Sequence, residues 1–283
     1  NLKTFRFDDT QLARMQSQLA GLAQPSDDKI HLAFAVGKAL EDRHEYDQSF
    51  AAYAEGNAIK RQISGYDADK TSVRVDQLIA RCGADLWDGD GHSSNEPIFI
   101  IGLPRAGSTL LEQILASHSQ VEATAELPFI GRMIGEMVAG RDRGEEPLYP
   151  RILNELTVEE RVARGQQYLD LAAGYRRGKA RFIDKLPNNW EHVALIKAIL
   201  PNATIIDARR HAMAACFANF KQLFARGQEF TYSLEDIGRY YADYLRLMDH
   251  WHTVFPGGLL TVQYEEVVDD LDTQVSRLLS HAK

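Results

Sequence analysis

One short segment constrains the fold more than any other: an apolar run that leads straight into a glycine-containing loop and then a helix-forming stretch. Residues 97–110 read PIFIIGLPRAGSTL. The run 98–101 is typical of a buried strand, and the pattern after it predicts a helix that begins at Thr109. Gly102 and Gly107 stand where a phosphate-binding loop has its two glycines, whereas Ser108 occupies the position of that loop's lysine. This order of elements predicts an anion site at the carboxyl edge of a parallel sheet.

Further apolar runs, with helical patterns between them, extend this interpretation along the chain. They are residues 181–184, 204–207 and 259–263. Strands that alternate with helices indicate a parallel sheet covered on both faces. The predicted fold class is therefore α/β, with a P-loop-type parallel sheet flanked by helices across residues 97–283. A polar, glycine-containing segment at residues 88–97 separates this predicted domain from what precedes it.

The first part of the chain, residues 1–87, is predicted to be an all-helical, repeat-like segment. Its apolar residues are spaced as on two consecutive helices joined by a polar turn. The pattern resembles one tetratricopeptide repeat at Gly37, Leu40, Tyr46 and Tyr53, but Ser49 stands where alanine is usual. A single repeat cannot bury its own faces, so we expect either that more repeats precede Asn1 or that this hairpin packs on the next domain. A plain helical hairpin is the alternative to a repeat. If the segment is a repeat, it predicts a protein contact through its helices.

Composition excludes several classes of function. The net charge of −8 at pH 7 argues against a broad surface for nucleic acid or anionic membranes. Apolar residues make up 45% of the chain, yet no apolar run reaches the roughly 18–20 residues of a membrane span. Two cysteines, Cys82 and Cys216, are too few for a disulfide framework or a zinc site, so a reducing, cytoplasmic compartment is expected. Because the chain opens at Asn1 without a methionine, we expect it to be part of a longer protein.

The chemistry of the loop favours a short anionic group over a nucleoside triphosphate. Glycines allow backbone N–H groups to converge, and the N-terminus of a helix attracts negative charge. The missing lysine is the group that normally reaches the β- and γ-phosphates. Arg105 supplies a cation within the loop instead. The predicted anion-binding residues are Arg105, Ala106, Gly107, Ser108, Thr109 and Leu110.

The stretch PRAGSTLLEQIL resembles the phosphosulfate-binding loop of sulfotransferases that use 3′-phosphoadenosine-5′-phosphosulfate (PAPS). It is closer to the tyrosylprotein-sulfotransferase branch than to the branch that sulfates small phenols and steroids. The tyrosylprotein branch has a glutamate after the helix that follows the loop, and a lysine at the end of a later strand. Glu126 in ATAELPF and Lys185 in FIDKLPNN follow the loop at similar spacings. The resemblance implies that PAPS is the donor, that Glu126 is the general base and that Lys185 neutralises charge on the transferred group.

The resemblance also bears on the remaining donor contacts. A transferred sulfuryl group carries less charge than a phosphoryl group, so no metal ion is expected to be required. The family grips the 3′-phosphate of PAPS with an arginine that follows a strand, and Arg210 matches it here. Ala218, eight positions later, stands where the family has a serine, and for the neighbouring Arg209 ordinary surface charge is the competing interpretation. His118, at the end of the predicted helix that follows the loop, is the competing candidate for the base. Histidines at the C-terminal end of a helix, however, commonly cap carbonyls.

The acceptor is less determined than the donor. Arg132, six residues past Glu126, is the predicted contact for an acidic peptide, but Pro128 stands where the tyrosylprotein branch has arginine. A protein tyrosine, a carbohydrate and a small phenolic compound stay open as acceptors. Two other functions also stay open: a nucleotide or small-molecule kinase on the same P-loop scaffold, and a repeat-based binding protein with an inactive enzyme domain. The family continues past the position of Lys283, so we expect the C-terminal end to be incomplete.

Overall fold

The computed structural model describes residues 4–84, 89–141 and 147–282. The strands in these ranges are β1 (Pro97–Gly102), β2 (Val121–Ala125), β3 (Arg181–Asp184), β4 (Thr204–Arg209) and β5 (Leu259–Gln263). The α-helices are α1 (Asp9–Gly21), α2 (Asp27–Glu41), α3 (Tyr46–Ser64), α4 (Ala68–Arg81), α5 (Ser108–Ala116), α6 (Phe129–Val138), α7 (Leu148–Arg151), α8 (Val158–Ala173), α9 (Val193–Ile199), α10 (Ala212–Phe220), α11 (Leu234–Val254), α12 (Tyr264–Asp269) and α13 (Leu271–His281). Short 3₁₀ helices span Ile152–Glu155, Pro187–His192 and Glu229–Tyr232.

The five described strands form one sheet in the order β2-β3-β1-β4-β5, and each neighbouring pair is parallel. Strand β1 lies in the centre, between β3 and β4. Because the strands are parallel, all of them end at the same edge of the sheet. The loop after β1 and the residues that follow β2, β3 and β4 therefore meet at this carboxyl edge, where ligands bind in open α/β sheets.

Helices cover both faces of the sheet. On one face, Ile98 and Ile206 pack in a buried cluster with Leu278 of α13. On the other face, the ring centroid of Phe99 lies 5.4 Å from that of Tyr168 in α8. Successive strand residues point to opposite faces, so a strand buried on both sides reads as a continuous apolar run. The predicted α/β fold class, a parallel sheet flanked by helices, is confirmed.

Strand β2 is not predicted by the sequence pattern. Its residues, VEATA, include one strongly apolar side chain, and only the first two of them are buried. It is an edge strand with a single neighbour, β3, so it needs little apolar surface of its own. The strand matters for the site because Glu126 is the first residue after it.

The chain divides into two compact units. One comprises Asn1–Asp69 and Cys216–Tyr240, and the other comprises Lys70–Ala215 and Tyr241–Lys283. The second unit contains the whole sheet. The first unit includes chain that lies well beyond β4 in sequence: the Asn57 side-chain amide donates a hydrogen bond to the Phe220 carbonyl at 2.7 Å. The division of the chain into segments 1–87 and 97–283 stays a prediction.

Within the first unit, helices α2 and α3 pack closely. A Cβ at Gly37 would lie 2.8 Å from the Tyr53 ring, and a Cβ at Gly56 would lie 2.9 Å from the Phe34 ring. The Ser49 hydroxyl donates a hydrogen bond to the Gly37 carbonyl at 2.7 Å. Serine in place of the alanine of the repeat pattern thus adds a buried hydrogen bond between the two helices.

Both cysteines are free thiols. Cys82 is buried, and burial raises the pKa of its thiol to about 12. Cys216 is half-buried, and burial raises its pKa as well. Across residues 4–84, 89–141 and 147–282, no helix combines the length and the apolar character that a membrane span requires.

Candidate active site

The loop after β1 needs glycine at both of its ends. Gly102 has a φ of +132° and Gly107 has a φ of +99°, values that other residues rarely adopt. A Cβ at Gly102 would lie 2.3 Å from the Ala208 carbonyl oxygen. A Cβ at Gly107 would lie 2.7 Å from Cδ2 of Tyr264. The glycines therefore let the loop backbone approach β4 and the first residue of α12.

Helix α5 presents its first N–H groups to this loop. The N–H groups of Leu110 and Leu111 donate to the Gly107 carbonyl at 2.9 and 3.3 Å. Those of Ser108 and Thr109 come before this first hydrogen bond, at the helix end that carries the positive end of the dipole. The predicted anion-binding segment therefore lies at a helix N-terminus.

We expect Gly107→Ala to destabilise the protein by roughly 1–3 kcal/mol, because alanine would have to keep a left-handed backbone and would contact Tyr264. Urea unfolding measures the loss as a lower midpoint at unchanged slope. Gly135→Ala is the matched control, because Gly135 lies inside α6 and an added Cβ there meets nothing within 4 Å. The free energy of unfolding of Gly135→Ala should rise by about 0.5–1 kcal/mol. Full stability of Gly107→Ala would contradict the close approach.

Two arginines lie at the loop. Arg105 is exposed and has a φ of +65°, which is uncommon for a residue other than glycine. Nη1 of Arg210 donates a hydrogen bond to the Arg105 carbonyl at 3.5 Å. The Arg210 guanidinium carbon lies 5.0 Å from the centre of the Tyr264 ring, and its Nε lies 4.0 Å from the Glu265 carboxylate. The structure thus brings Arg210, from the end of β4, beside the loop.

Glu126 and Lys185 form an ion pair at the carboxyl ends of β2 and β3. The distance from Lys185 Nζ to Glu126 Oε1 is 2.6 Å. The lysine side chain is 13% exposed and the glutamate side chain is 57% exposed. Lys185 is therefore largely enclosed by protein, whereas Glu126 is open to a second molecule.

Glu112, which the sequence motifs do not single out, lies within electrostatic reach of this pair. It is on α5, one turn after Ser108. Burial raises the pKa of the Glu112 carboxyl, against the lowering effect of Lys185 and with a further raising effect from Glu126. Helix α5 therefore connects the anion-binding loop with the ion pair. An acid among the leucines and the isoleucine of TLLEQIL is the signal for it in the sequence.

Arg209 lies in a buried network instead of on the surface. Its Nη2 donates a hydrogen bond to the Asp207 carboxylate at 2.8 Å. The Tyr244 hydroxyl and the Thr261 hydroxyl donate to the same carboxylate. Asp207 is fully buried, and these donors compensate for the loss of its hydration. Ordinary surface charge, the competing interpretation of Arg209, does not describe this environment.

Three other positions singled out in the sequence have different surroundings. His118 follows α5 at the end far from the loop, and nine helical residues span about 13 Å. Its carbonyl accepts a hydrogen bond from the N–H of Val121, at the amino end of β2. Arg132 is exposed on α6 and pairs with Glu136 at 2.9 Å. Ala218 is buried in α10.

The carboxyl edge of the sheet therefore combines three kinds of group. Backbone N–H groups and two arginines favour an anion, a lysine can neutralise developing charge, and a carboxylate can accept a proton. In the described parts of the chain, no cluster of three or more His, Cys, Asp or Glu side chains is arranged to hold a metal ion.

Comparison with known proteins identifies the family. A family model described as "Sulfotransferase family" matches residues 97–283, which is more than half of the chain. The chain belongs to the sulfotransferase family. The chain is also 30% identical, over 286 residues, to a protein of Aquifex aeolicus (strain VF5) that is described only as uncharacterized. The match covers 98% of the chain but only 38% of the Aquifex protein.

Three solved structures of sulfotransferases match part of the chain. The sulfotransferase domain of the Synechococcus PCC 7002 olefin synthase has 23% identity and a TM-score of 0.46, and the match covers 69% of this chain and 76% of that one. The sulfotransferase domain of the curacin biosynthetic pathway has 18% identity and a TM-score of 0.46, with 68% and 74% covered. A sulfotransferase from Alicyclobacillus acidocaldarius has 18% identity and a TM-score of 0.44, with 67% and 80% covered. Sulfuryl transfer is the general chemistry of the family to which the chain belongs.

Proposed function

We propose that this protein transfers a sulfuryl group from PAPS to an acceptor hydroxyl. The observation that carries the proposal is the Glu126–Lys185 ion pair, which lies at the same sheet edge as a phosphate-type loop without its lysine. The pair supplies a base and a cation to a reaction that needs both. A P-loop kinase would need the lysine whose position Ser108 occupies.

The donor-binding residues would be those of the loop together with Arg210. PAPS carries a 5′-phosphosulfate and a separate 3′-phosphate. The N–H groups at the start of α5 and the Arg105 guanidinium suit the 5′-phosphosulfate, which is a short anion. Arg210, bonded to the loop backbone, suits the 3′-phosphate. With Ala218 in place of the family's serine, Arg210 would carry a larger share of the 3′-phosphate contact.

In the proposed reaction, the acceptor oxygen forms a bond to sulfur while the bond from sulfur to the 5′-phosphate oxygen breaks. Glu126 takes the proton of the acceptor hydroxyl. Lys185 stabilises the charge that grows on the leaving oxygen. The products are a sulfate ester and adenosine 3′,5′-bisphosphate. Because Lys185 pairs with Glu126, a donor group that binds Lys185 would compete with this ion pair and so release the carboxylate to act as a base.

The proposed acceptor is a tyrosine hydroxyl in a peptide or protein. Two features support this choice: the loop sequence resembles that of the tyrosylprotein branch, and the Glu126 side chain is 57% exposed, which leaves space for a bulky acceptor. The tetratricopeptide-like pair α2 and α3 would supply a separate protein contact. Radiolabelled PAPS should label an acidic tyrosine peptide and leave the same peptide with phenylalanine unlabelled. Labelling of p-nitrophenol without labelling of the tyrosine peptide would contradict the acceptor proposal.

Adenosine 3′,5′-bisphosphate is expected to raise the melting temperature by roughly 5–10 °C at a hundred times its dissociation constant, since binding to the folded state alone stabilises it by about 2.7 kcal/mol. The same concentration of 5′-AMP should raise it much less, because that ligand lacks the 3′-phosphate. EDTA should not change the shift. Differential scanning fluorimetry provides the measurement.

The matched variant for this experiment is Arg210→Ala. Its shift with the bisphosphate should fall to the size of the shift with 5′-AMP, because the variant lacks the proposed 3′-phosphate contact. An equal shift of the wild-type protein with ATP and Mg²⁺ would favour a kinase instead. An unchanged bisphosphate shift in Arg210→Ala would show that another residue holds the 3′-phosphate.

A further inference from the structure

Asp184 links the two chain segments that carry the ion pair. Its carboxylate is fully buried at the end of β3. Oδ2 accepts a hydrogen bond from the Tyr168 hydroxyl at 2.8 Å, and Oδ1 accepts one from the Leu127 N–H at 3.3 Å. Leu127 directly follows Glu126, and Lys185 directly follows Asp184. One carboxylate therefore holds both members of the pair through the backbone.

An extra residue in β2 sets the register of the pair. The ladder between β2 and β3 joins Ala123 to Ile183 and then Ala125 to Asp184. The extra residue is Thr124, whose hydroxyl donates to the Ile183 carbonyl at 2.6 Å. The same register, continued by one residue, brings Glu126 opposite Lys185, whereas a regular ladder would bring Ala125 there. The Lys185 N–H donates to the Ala125 carbonyl at 3.2 Å, which fixes this alignment.

We propose that Asp184 is a positioning residue for sulfuryl transfer: by holding the Leu127 N–H against the end of β3, it keeps Glu126 aligned with Lys185. The proposal rests on the proposed function, because alignment affects a rate only if the pair takes part in the reaction. A buried carboxylate costs folding free energy that an apolar side chain of similar size would avoid. This cost argues for a role beyond packing.

The charge on Asp184 should control how well it holds these bonds. Burial raises the pKa of Asp184 to about 7, against the lowering effects of Tyr168, the Leu127 N–H and Lys185, while Glu126 raises it further. The ionised carboxylate accepts both hydrogen bonds. In a protonated carboxyl, one oxygen becomes an O–H donor and accepts less well, so one of the two hydrogen bonds weakens. We therefore expect kcat to fall as the pH decreases through about 7, with Asp184 taking up a proton.

Asp184→Asn tests this directly. Asparagine keeps the shape of the side chain, but it carries no charge, does not titrate, and has one acceptor oxygen for the two donors, so it cannot accept both hydrogen bonds in the same way. We expect kcat at pH 8 to fall about tenfold or more, since a 1 Å misplacement can cost on the order of a hundredfold. The KM for PAPS should stay nearly unchanged, and the fall of kcat near pH 7 should disappear. Wild-type kcat together with a wild-type pH profile would overturn the proposal.

Tyr168→Phe keeps the proposal testable if the asparagine variant does not fold. It keeps the buried ring and removes one donor to Asp184, so the ionised carboxylate becomes less stable and the fall of kcat should move to higher pH. Tyr244→Phe is the matched control, because it removes the phenol that donates to Asp207, another buried acid on a strand of the same sheet. It should lower thermal stability without moving the pH profile. An equal movement in both variants, or in neither, would overturn the proposal.

A measurement without turnover separates this inference from the proposed function. If the wild-type protein consumes no PAPS with any acceptor, the proposed function fails, and the inference is then tested by ¹³C-lysine NMR. The Cε resonance of Lys185, assigned with Lys185→Met, should shift with a midpoint near pH 7, the expected titration of Asp184. The shift should be absent in Asp184→Asn. The same titration in both proteins, or in neither, would mean that Asp184 does not act on the pair.

Discussion

Glu126→Gln is expected to lose nearly all sulfuryl transfer while it keeps its binding of nucleotide. Glutamine has the shape of glutamate but cannot take a proton from the acceptor hydroxyl. One positioned base contributes about 10²–10⁴-fold to such a rate, and the loss should have this size. Nucleotide binding should survive, because the proposed phosphate contacts come from the loop and from Arg210. The rate of PAPS consumption and the melting shift with adenosine 3′,5′-bisphosphate measure the two effects.

His118→Asn is the control for this assignment, since His118 is the other base candidate of the sequence. The structure has His118 at the far end of α5, beside the amino end of β2, while the phosphate-type loop lies at the carboxyl edge. We therefore expect this variant to keep most of the activity. The reverse ranking, with an active Glu126→Gln and an inactive His118→Asn, would contradict the role of Glu126 and would move the protein toward a histidine-based mechanism.

The sequence predicted most of the sheet because its central strands are buried on both faces. Such strands appear as apolar runs, and β1, β3, β4 and β5 were all recognisable in this way. Strand β2 was not, because an edge strand needs little apolar surface. Nor does any local pattern show that residues 216–240 belong to a compact unit with the N-terminal helices. That association depends on contacts between residues far apart in sequence, such as Asn57 with Phe220.

The site was predictable to the extent that it follows from a motif. The two loop glycines can be recognised in the sequence because the loop needs, at both positions, a backbone conformation that only glycine adopts easily. Glu126 and Lys185 were proposed from a resemblance, and their contact at 2.6 Å is a property of the sheet. The extra residue in β2 that aligns them has no signature in VEATA. The sequence shows Asp184 as an acid at the end of an apolar run, but the hydrogen bond that it accepts from the Leu127 N–H depends on that alignment.

Lys185→Met is the second variant for which we expect a large effect. If the lysine acts on charge that grows as the bond to sulfur breaks, its loss should lower kcat by a hundredfold or more, which corresponds to roughly 3 kcal/mol. The affinity for adenosine 3′,5′-bisphosphate should change much less, since that ligand lacks the transferred group. Loss of the ion pair itself should cost little stability, because the Glu126 side chain is 57% exposed and can be hydrated. Steady-state kinetics with a working acceptor, together with the melting shift, separate these effects.

Lys179→Met is the matched control, because this lysine precedes β3 and Lys185 follows it. Its ammonium donates to the carbonyls of Val121 and His118, at 2.7 and 3.1 Å, at the amino edge of the sheet. The variant should lose about 0.5–1.5 kcal/mol of stability for each hydrogen bond and keep its kcat. A similar loss of kcat in both lysine variants would point to general damage to the β2–β3 pair. An unchanged kcat in Lys185→Met would leave Lys185 as a partner of Glu126 and nothing more, since a charge that acts in the transition state cannot be removed without a change in rate.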